Sequence, residues 1–111
     1  MKKIQFYSLV RYNGEIKAML QNGYTDGEFY YYKSPYHSRK WYVIDPECGI
    51  AIWSDKSMKI CAAVAHDETI REKVKHEKSN GRGERWANEF AEYIEIAKQA
   101  DFPKFLENVE K

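Results

Sequence analysis

Apolar and polar residues alternate in the first part of the chain with the period of a β-strand. Ile4 and Phe6 lie between polar neighbours, and residues 16–21 resume the same alternation. The two stretches are separated by Asn13-Gly14, a pair that suits a tight hairpin turn because both of its central positions need positive φ angles. The pattern therefore predicts two antiparallel strands joined by a short turn.

Turn signals continue to divide the chain as far as residue 54. They fall at Asn22-Gly23, at Asp26-Gly27 and within residues 46–49. The segments that they separate are an aromatic run at 28–33 and two short apolar stretches at 41–45 and 50–53. Aromatic and β-branched residues favour extended structure, so the first half of the chain is predicted to be a five-stranded antiparallel meander.

The apolar spacing changes to that of a helix after residue 54. Apolar residues between Ile60 and Val74 recur at intervals of three and four, and Ser54 or Asp55 is the predicted N-cap. The polar residues 66–67 interrupt this stripe, which predicts a kink or a break there.

A second helix is predicted after the glycine-containing segment 80–83, because glycine commonly follows a helix C-terminus. Trp86 and Phe90 belong to its apolar face and are predicted to form the core between helix and sheet. A short third helix is predicted from Asp101, with Pro103 tolerated in its first turn.

Together these elements predict one α+β domain over residues 1–111, with the meander at 1–54 and the helical part at 55–111. A meander alone would leave its apolar face in water. The two main helices and the short C-terminal helix are therefore expected to pack on one face of the sheet.

Composition limits the classes of partner. The formal net charge is +1, so no overall field attracts nucleic acid or membranes, and any electrostatic partner must contact a local patch. No window approaches the roughly 20 apolar residues of a membrane helix, and the N-terminus has no apolar signal core. We expect a cytoplasmic protein that does not bind membranes.

The two cysteines have different predicted environments. Cys61 lies in an apolar stretch and is expected to be buried and reduced, whereas Cys48 lies in a predicted turn and is expected to react faster. Their spacing does not match that of zinc ligands, so no metal site is predicted.

No catalytic constellation is visible either. The segment Gly81-Arg82-Gly83 lacks the third glycine and the preceding strand of a phosphate-binding loop. The chain is therefore expected to be non-catalytic, to need no cofactor and to act by binding.

An aromatic-basic segment is the main candidate for that binding. The candidate contact residues are Tyr32, Lys33, Tyr36, His37, Arg39 and Lys40. Tyr and Arg are prominent in protein interfaces, which favours a protein partner. Rings interleaved with cations are also typical of single-strand nucleic-acid binding, which is the alternative. Ordinary packing of a strand explains the same rings.

Two charged helix faces are secondary candidates. The possible acidic face consists of Glu89, Glu92 and Glu95, and the possible basic face consists of Lys73, Lys78, Arg82 and Arg85. The acidic face either keeps the protein soluble or imitates phosphates in the cleft of a nucleic-acid enzyme. The basic face either contacts phosphates or forms helix-surface ion pairs with nearby glutamates.

The segment 41–52, preceded by residues 31–34, resembles small uncharacterised proteins of phages and prophages of Firmicutes. Their pattern is Trp-x-Val-x-(Asp/Glu)-Pro-x-(Thr/Ser)-Gly-Leu-x-(Ile/Val), and here Cys48 and Ile50 replace the hydroxyl residue and the leucine. The resemblance covers about a quarter of the chain and implies a phage origin. Inhibitors of host proteins, anti-CRISPR proteins among them, are common among short phage accessory proteins. The resemblance thus suggests a phage-encoded inhibitor of a host defence enzyme. It leaves the oligomeric state open.

Overall fold

A computed structural model describes residues 1–34 and 39–99 and shows an antiparallel sheet followed by helices. The strands are β1 (Lys2–Tyr12), β2 (Glu15–Thr25), β3 (Tyr30–Lys33), β4 (Trp41–Ile44) and β5 (Ala51–Asp55). The helices are α1 (Met58–Ala65), α2 (Glu68–Glu77) and α3 (Arg82–Gln99). The strands follow one another in sequence order across the sheet. The predicted α+β meander is confirmed, and the predicted third helix, which begins at Asp101, lies outside the described residues.

Strands β1 and β2 form a long hairpin with the predicted turn. Asn13 and Gly14 have φ angles of 50° and 78°, as a hairpin turn of this type requires. The pairing continues without interruption to Lys2 and Thr25. The predicted turn at Asn22-Gly23 is therefore wrong.

Gly23 instead allows two strands to approach each other closely. A Cβ atom at this position would lie 2.1 Å from the carbonyl oxygen of Tyr31 in β3 and 2.9 Å from the ring of Phe6. A glycine inside a strand often marks such an approach. Only Tyr24 and Thr25 of β2 pair with β3, so the rest of the hairpin diverges from the neighbouring strand.

This divergence helps to bury both faces of β3 and β4. On one face, Tyr31 and Val43 belong to a core cluster with Cys61 of α1. On the other face, Tyr32 and Ile44 pack with Phe6 of β1. The hairpin thus covers the sheet face that the helices do not.

Helices α1 and α2 each begin at a polar N-cap residue. The Ser57 hydroxyl accepts the Ile60 N–H at 3.3 Å, so the cap is Ser57 rather than the predicted Ser54 or Asp55, because β5 extends through Asp55. The Asp67 carboxylate caps α2 by accepting the Ile70 N–H at 3.3 Å. The predicted break at residues 66–67 is confirmed.

Helix α3 packs against the hairpin and against the turn between β4 and β5. Phe90 and Ala97 are buried together with Ala18 of β2. The Phe90 ring lies over Gly49, where a Cβ atom would come within 2.4 Å of it. The predicted core position of Phe90 is confirmed. Trp86, one turn earlier, is only partly buried, because the start of α3 lies at the margin of this contact.

Candidate functional site

The aromatic run that formed the centre of the sequence prediction is mostly core. Tyr32 is 5% exposed and Tyr31 is fully buried. The Tyr32 ring stacks on that of Tyr42 with centroids 5.4 Å apart, and burial raises the pKa of its hydroxyl despite the opposing effect of a hydrogen bond with Ser8. Tyr32 is therefore wrongly predicted as a contact residue, since both faces of its strand are covered.

The basic residues of the same segment remain at the surface. Lys33 pairs with Trp41 across β3 and β4, and the Ser34 N–H donates to the Lys40 carbonyl at 2.8 Å. Lys33 and Arg39 are exposed and Lys40 is half-buried. The predicted contacts Tyr36 and His37 lie outside the described residues.

The pairing of β4 with β5 places one further cation at the same end of the sheet. Trp41 pairs with Asp55 of β5, and the exposed Lys56 follows Asp55 directly. We call the resulting set the cationic end of the sheet; it consists of Lys33, Arg39, Lys40 and Lys56. None of these four cations forms an ion pair with another residue in the described part of the chain.

Two backbone features add to the cationic end. Helix α1 starts just after Lys56 and has no acidic residue in its first turn, so the partial positive charge of its N-terminus is uncompensated by the helix itself. Arg39 has a φ angle of 53°. A non-glycine residue held in this region costs on the order of 1 kcal/mol or more, and such residues cluster at ligand-binding positions. The carboxylate of Asp55, which precedes Lys56 in the chain, accepts the Ser57 N–H at 3.1 Å.

The opposite end of the sheet carries acidic turns, which we call the paired end; it comprises residues 26–29 and 45–49. Asp26 follows β2, and its carboxylate accepts the N–H groups of Glu28 at 2.9 Å and Phe29 at 2.8 Å. It also accepts the Tyr31 hydroxyl at 2.6 Å. The His66 Nε2 atom lies 2.7 Å from the same carboxylate.

These contacts change the ionisation of the groups involved. Burial opposes ionisation of Asp26, but hydrogen bonds from His66, Phe29 and Tyr31 outweigh it and hold the pKa of the carboxyl well below its usual range. Burial and the Asp26 charge raise the pKa of Tyr31 far above its ordinary value. Arg71 of α2 completes the cluster by pairing with Glu28.

A second cluster closes the other acidic turn. Lys78, just after α2, pairs with Asp45 and lies 2.8 Å from the Glu47 carboxylate. Burial alone would lower the pKa of Lys78, but the hydrogen bonds to Asp45 and Glu47 raise it. The Asp45 carboxylate also accepts the Glu47 N–H at 2.8 Å. Lys78 therefore serves the fold and is not part of an open basic face.

The other members of the two predicted helix faces are exposed. Lys73, Arg82 and Arg85 lie at the surface. The predicted acidic face, Glu89, Glu92 and Glu95, is exposed. Two of its carboxylates have a cationic neighbour on the same helix. Arg85 lies 3.9 Å from Glu89, and Lys98 lies 3.6 Å from Glu95. Such exposed pairs are typical of a solvated helix surface.

The prediction for the two cysteines is half right. Cys61 is buried as expected, but Cys48 is also buried, with 2% of its surface exposed. The turn that contains Cys48 lies under Phe90 of α3 rather than in solvent. Burial raises the pKa of both thiols, so neither is activated as a nucleophile. Within residues 1–34 and 39–99, no three candidate metal ligands lie together.

An apolar groove lies beside β5, and sequence reasoning missed it. It has a volume of about 240 Å³ and is bounded by Ile50, Trp53, Trp86 and α2 residues such as Val74. Trp53 is 45% exposed and Ile50 is 39% exposed. The sequence predicted 50–53 as the last strand of the meander but did not show that Trp86 and residues of α2 would line a groove beside it. The position of Lys56 at the cationic end was also missed, because it follows only from the pairing of β4 with β5.

No helix in the described part of the chain is long and apolar enough to cross a membrane. Searches with family models, against curated proteins and against solved structures gave no match to this chain.

Proposed function

We propose that this chain is a non-catalytic protein-binding protein and that its cationic end contacts an acidic surface of another protein. The observation that supports this is a charge imbalance. Four cations of the described chain collect at one end of the sheet, together with Asp55, although the whole chain has a net charge of only +1. Unpaired surface charges of one sign attract a partner of the opposite sign and accelerate its encounter.

The scaffold beneath the cationic end supports this use. Lys33 and Lys40 flank a hairpin whose strands are fixed by paired residues and by the hydrogen bond from the Ser34 N–H to the Lys40 carbonyl. Trp41, the first residue of β4, packs against the core that includes Cys61. A site that is already ordered loses little conformational entropy when it binds.

Protein is favoured over single-stranded nucleic acid because of the rings. Single-strand binding combines cations with exposed aromatic rings on which bases stack. Tyr31 and Tyr32 are buried, and Trp41 and Tyr42 are half-buried within the core clusters. The cations also suit phosphates, so nucleic acid is the second candidate, although the rings of this segment that the structure describes lie largely within the core clusters.

The resemblance to small phage proteins supports a partner in the host cell, and the chain is then an inhibitor that covers a surface of a host defence enzyme. An acidic host surface is the counterpart that the cationic end requires. The exposed glutamates of α3 are a weaker candidate contact, because Glu89 and Glu95 have cationic neighbours on their own helix.

Capture from a Firmicutes lysate tests the proposal. The bait is the tagged chain, used with and without nuclease treatment, and the variant is Lys33→Glu with Lys40→Glu. The control, Lys2→Glu with Lys3→Glu, makes the same charge change at exposed positions of β1. We expect a protein that survives nuclease, is captured by the control and is lost with the variant. Capture that disappears with nuclease supports nucleic acid instead, and equal capture by both variants excludes the cationic end.

A further inference from the structure

Helix α2 is attached to the fold differently from its two neighbours. Helices α1 and α3 each bury two residues, whereas α2 buries none. Only Ile70 and Val74 of α2 are partly buried. None of the three core clusters found in the described part of the chain includes a residue of α2. Because burial of apolar surface is what fixes most helices in a protein, α2 gains little from this source.

The space beneath α2 is incompletely filled. The groove of about 240 Å³ beside β5 follows one side of the helix, and a second groove, of about 450 Å³, follows the other side. Ile52 of β5 and Val74 of α2 line both grooves. The apolar contact between this helix and the sheet is therefore narrow, and an unfilled space beside a side chain forfeits the dispersion contacts that close packing would supply.

Charged contacts supply the rest of the attachment. Arg71, in the first half of α2, pairs with Glu28, and Lys78, just after the helix, pairs with Asp45 and Glu47. The three carboxylates belong to the turns of the paired end, so these contacts join the helix to the sheet. The Arg71 pair is about half exposed on both sides and contributes little. The more buried contact of Lys78 with Asp45 is therefore the main one.

The neighbours of α2 keep their positions without it. Helix α1 belongs to the core cluster of Tyr31 and Val43 through Cys61, and α3 belongs to the cluster of the β1–β2 hairpin through Phe90. Since both neighbours are anchored, α2 cannot swing away from the sheet as a rigid rod. It can leave only by losing its helical structure, and a helix of ten residues is marginal in water when nothing packs against it.

We infer that α2 is a strap that unfolds locally, as one unit, while the sheet, α1 and α3 remain folded. Its unfolding uncovers the apolar side chains that line the groove beside β5, among them Ile52, Trp53 and Trp86. Segments that pass between order and disorder come from the least stable parts of a fold and are a common element of conformational switches. The strap contains none of the four cations of the cationic end, so this inference is independent of the proposed function.

Amide hydrogen exchange of the full chain, followed by NMR at urea concentrations below the unfolding transition, tests the strap. The comparison is between the backbone N–H of Val74 in α2 and that of Phe90 in α3. We expect the protection factor of Val74 to be at least tenfold lower than that of Phe90. It should also depend less on urea, because local unfolding exposes less surface than global unfolding. Equal protection factors with equal urea dependence overturn the inference.

Two substitutions separate local from global unfolding. Ile44→Val weakens the core on the sheet face away from the helices, and that packing persists when the strap opens. It should lower the protection factor of Phe90 several-fold and leave that of Val74 unchanged. Lys78→Met removes the main charged contact and should lower the protection factor of Val74 at least tenfold, whereas Lys75→Met, at an exposed position of α2, should not.

The inference is overturned if Ile44→Val lowers both protection factors equally, because α2 would then open only with the whole fold. It is also overturned if Lys78→Met has no larger effect on Val74 than Lys75→Met, because the charged contact would then not hold the strap.

Discussion

The two ends of this sheet use charge in different ways. At the paired end, the Asp26 carboxylate contacts His66 and Asp45 contacts Lys78, so residues near the two ends of α2 close two acidic turns. At the cationic end, Lys33 and Lys56 have no ion-pair partner among the described residues. The same five strands thus carry one end whose charges stabilise the chain and one whose charges face solvent.

Helix α2 connects the two acidic turns of the paired end. This helix has no buried residue, in contrast to α1, which buries Cys61 and Ala65. Its ten residues span about 15 Å, enough to reach from one acidic turn to the other across strands that lie roughly 4.8 Å apart. Polar contacts near its two ends thus add to the partly buried Ile70 and Val74 in holding this helix in place.

If the paired end is structural, loss of its packing should have the largest effect on stability. Phe90→Ala removes the ring that lies over Gly49 and is expected to lower the free energy of unfolding by about 3–5 kcal/mol. Urea denaturation measures this change. Ile96→Ala, on the exposed side of the same helix, should change it by less than about 0.5 kcal/mol. Similar values for the two variants would place Phe90 in solvent.

Removal of one partner from the second acidic turn should have a smaller effect. Lys78→Met leaves the Asp45 carboxylate, which is 7% exposed, without its cation. We expect a loss of about 1.5–3 kcal/mol, the range for hydrogen bonds that involve a charged group. Lys75→Met on the exposed surface of α2 is the control, and a Lys78 variant as stable as this control would contradict the structural role of the pair.

Acid should weaken the first acidic turn. The folded-state pKa of Asp26 is lowered, so its contribution is complete above the unfolded-state pKa of about 3.9 and is lost as the pH falls below that value. Asp26→Asn should therefore be less stable than wild type near neutral pH, with the difference shrinking towards pH 2. Urea midpoints between pH 2 and pH 7 measure this dependence. Glu72→Gln, at an exposed position of α2, is the control and should keep the wild-type pH dependence of the urea midpoint. If Asp26→Asn keeps the same pH dependence, the hydrogen-bonded cluster around Asp26 does not stabilise the fold.

The two buried thiols report on the two ends separately. Both should react slowly with iodoacetamide in the native protein, since burial raises the pKa of each. Cys48 lies in the acidic turn that Lys78 closes, whereas Cys61 belongs to α1 and its Sγ atom lies 3.5 Å from the Trp41 carbonyl oxygen. Lys78→Met should open the turn and so accelerate modification of Cys48 several-fold, a gain in access that outweighs the loss of the Lys78 charge that lowers the pKa of this thiol. Modification of Cys61 should be unchanged. Mass spectrometry of the modified peptides measures the two modification rates. A parallel rise in the rates of Cys48 and Cys61 would contradict this prediction.

The elements were predictable from the sequence because local signals determine them. Asn13-Gly14 supplied the hairpin turn, and Asp67 marked the break between α1 and α2. The glycine at position 23 led to the wrong prediction of a turn, because glycine suits both a tight turn and a close approach of two backbones. The pattern cannot distinguish the two without the register of β2 against β3.

The candidate site was predicted only in part, for a similar reason. Lys33 and Lys40 are neighbours in sequence, but Lys56 joins them only through the pairing of β4 with β5. Tyr32 was misplaced because strand alternation assigns one face to solvent, whereas the β1–β2 hairpin covers that face here. Long-range packing of this kind leaves no local signal.

The central claim is that the cationic end is free for binding because the fold does not need it. The direct measurement is a comparison of two quantities in the Lys33→Glu and Lys40→Glu double variant: the free energy of unfolding and the dissociation constant for the protein captured by the wild type. We expect the former to change by less than about 0.5 kcal/mol per substitution. The latter should rise at least tenfold, or about 1.4 kcal/mol, and wild-type affinity should fall with added salt. A variant that loses stability but keeps its affinity would contradict the claim, because the cations would then serve the fold and not the partner.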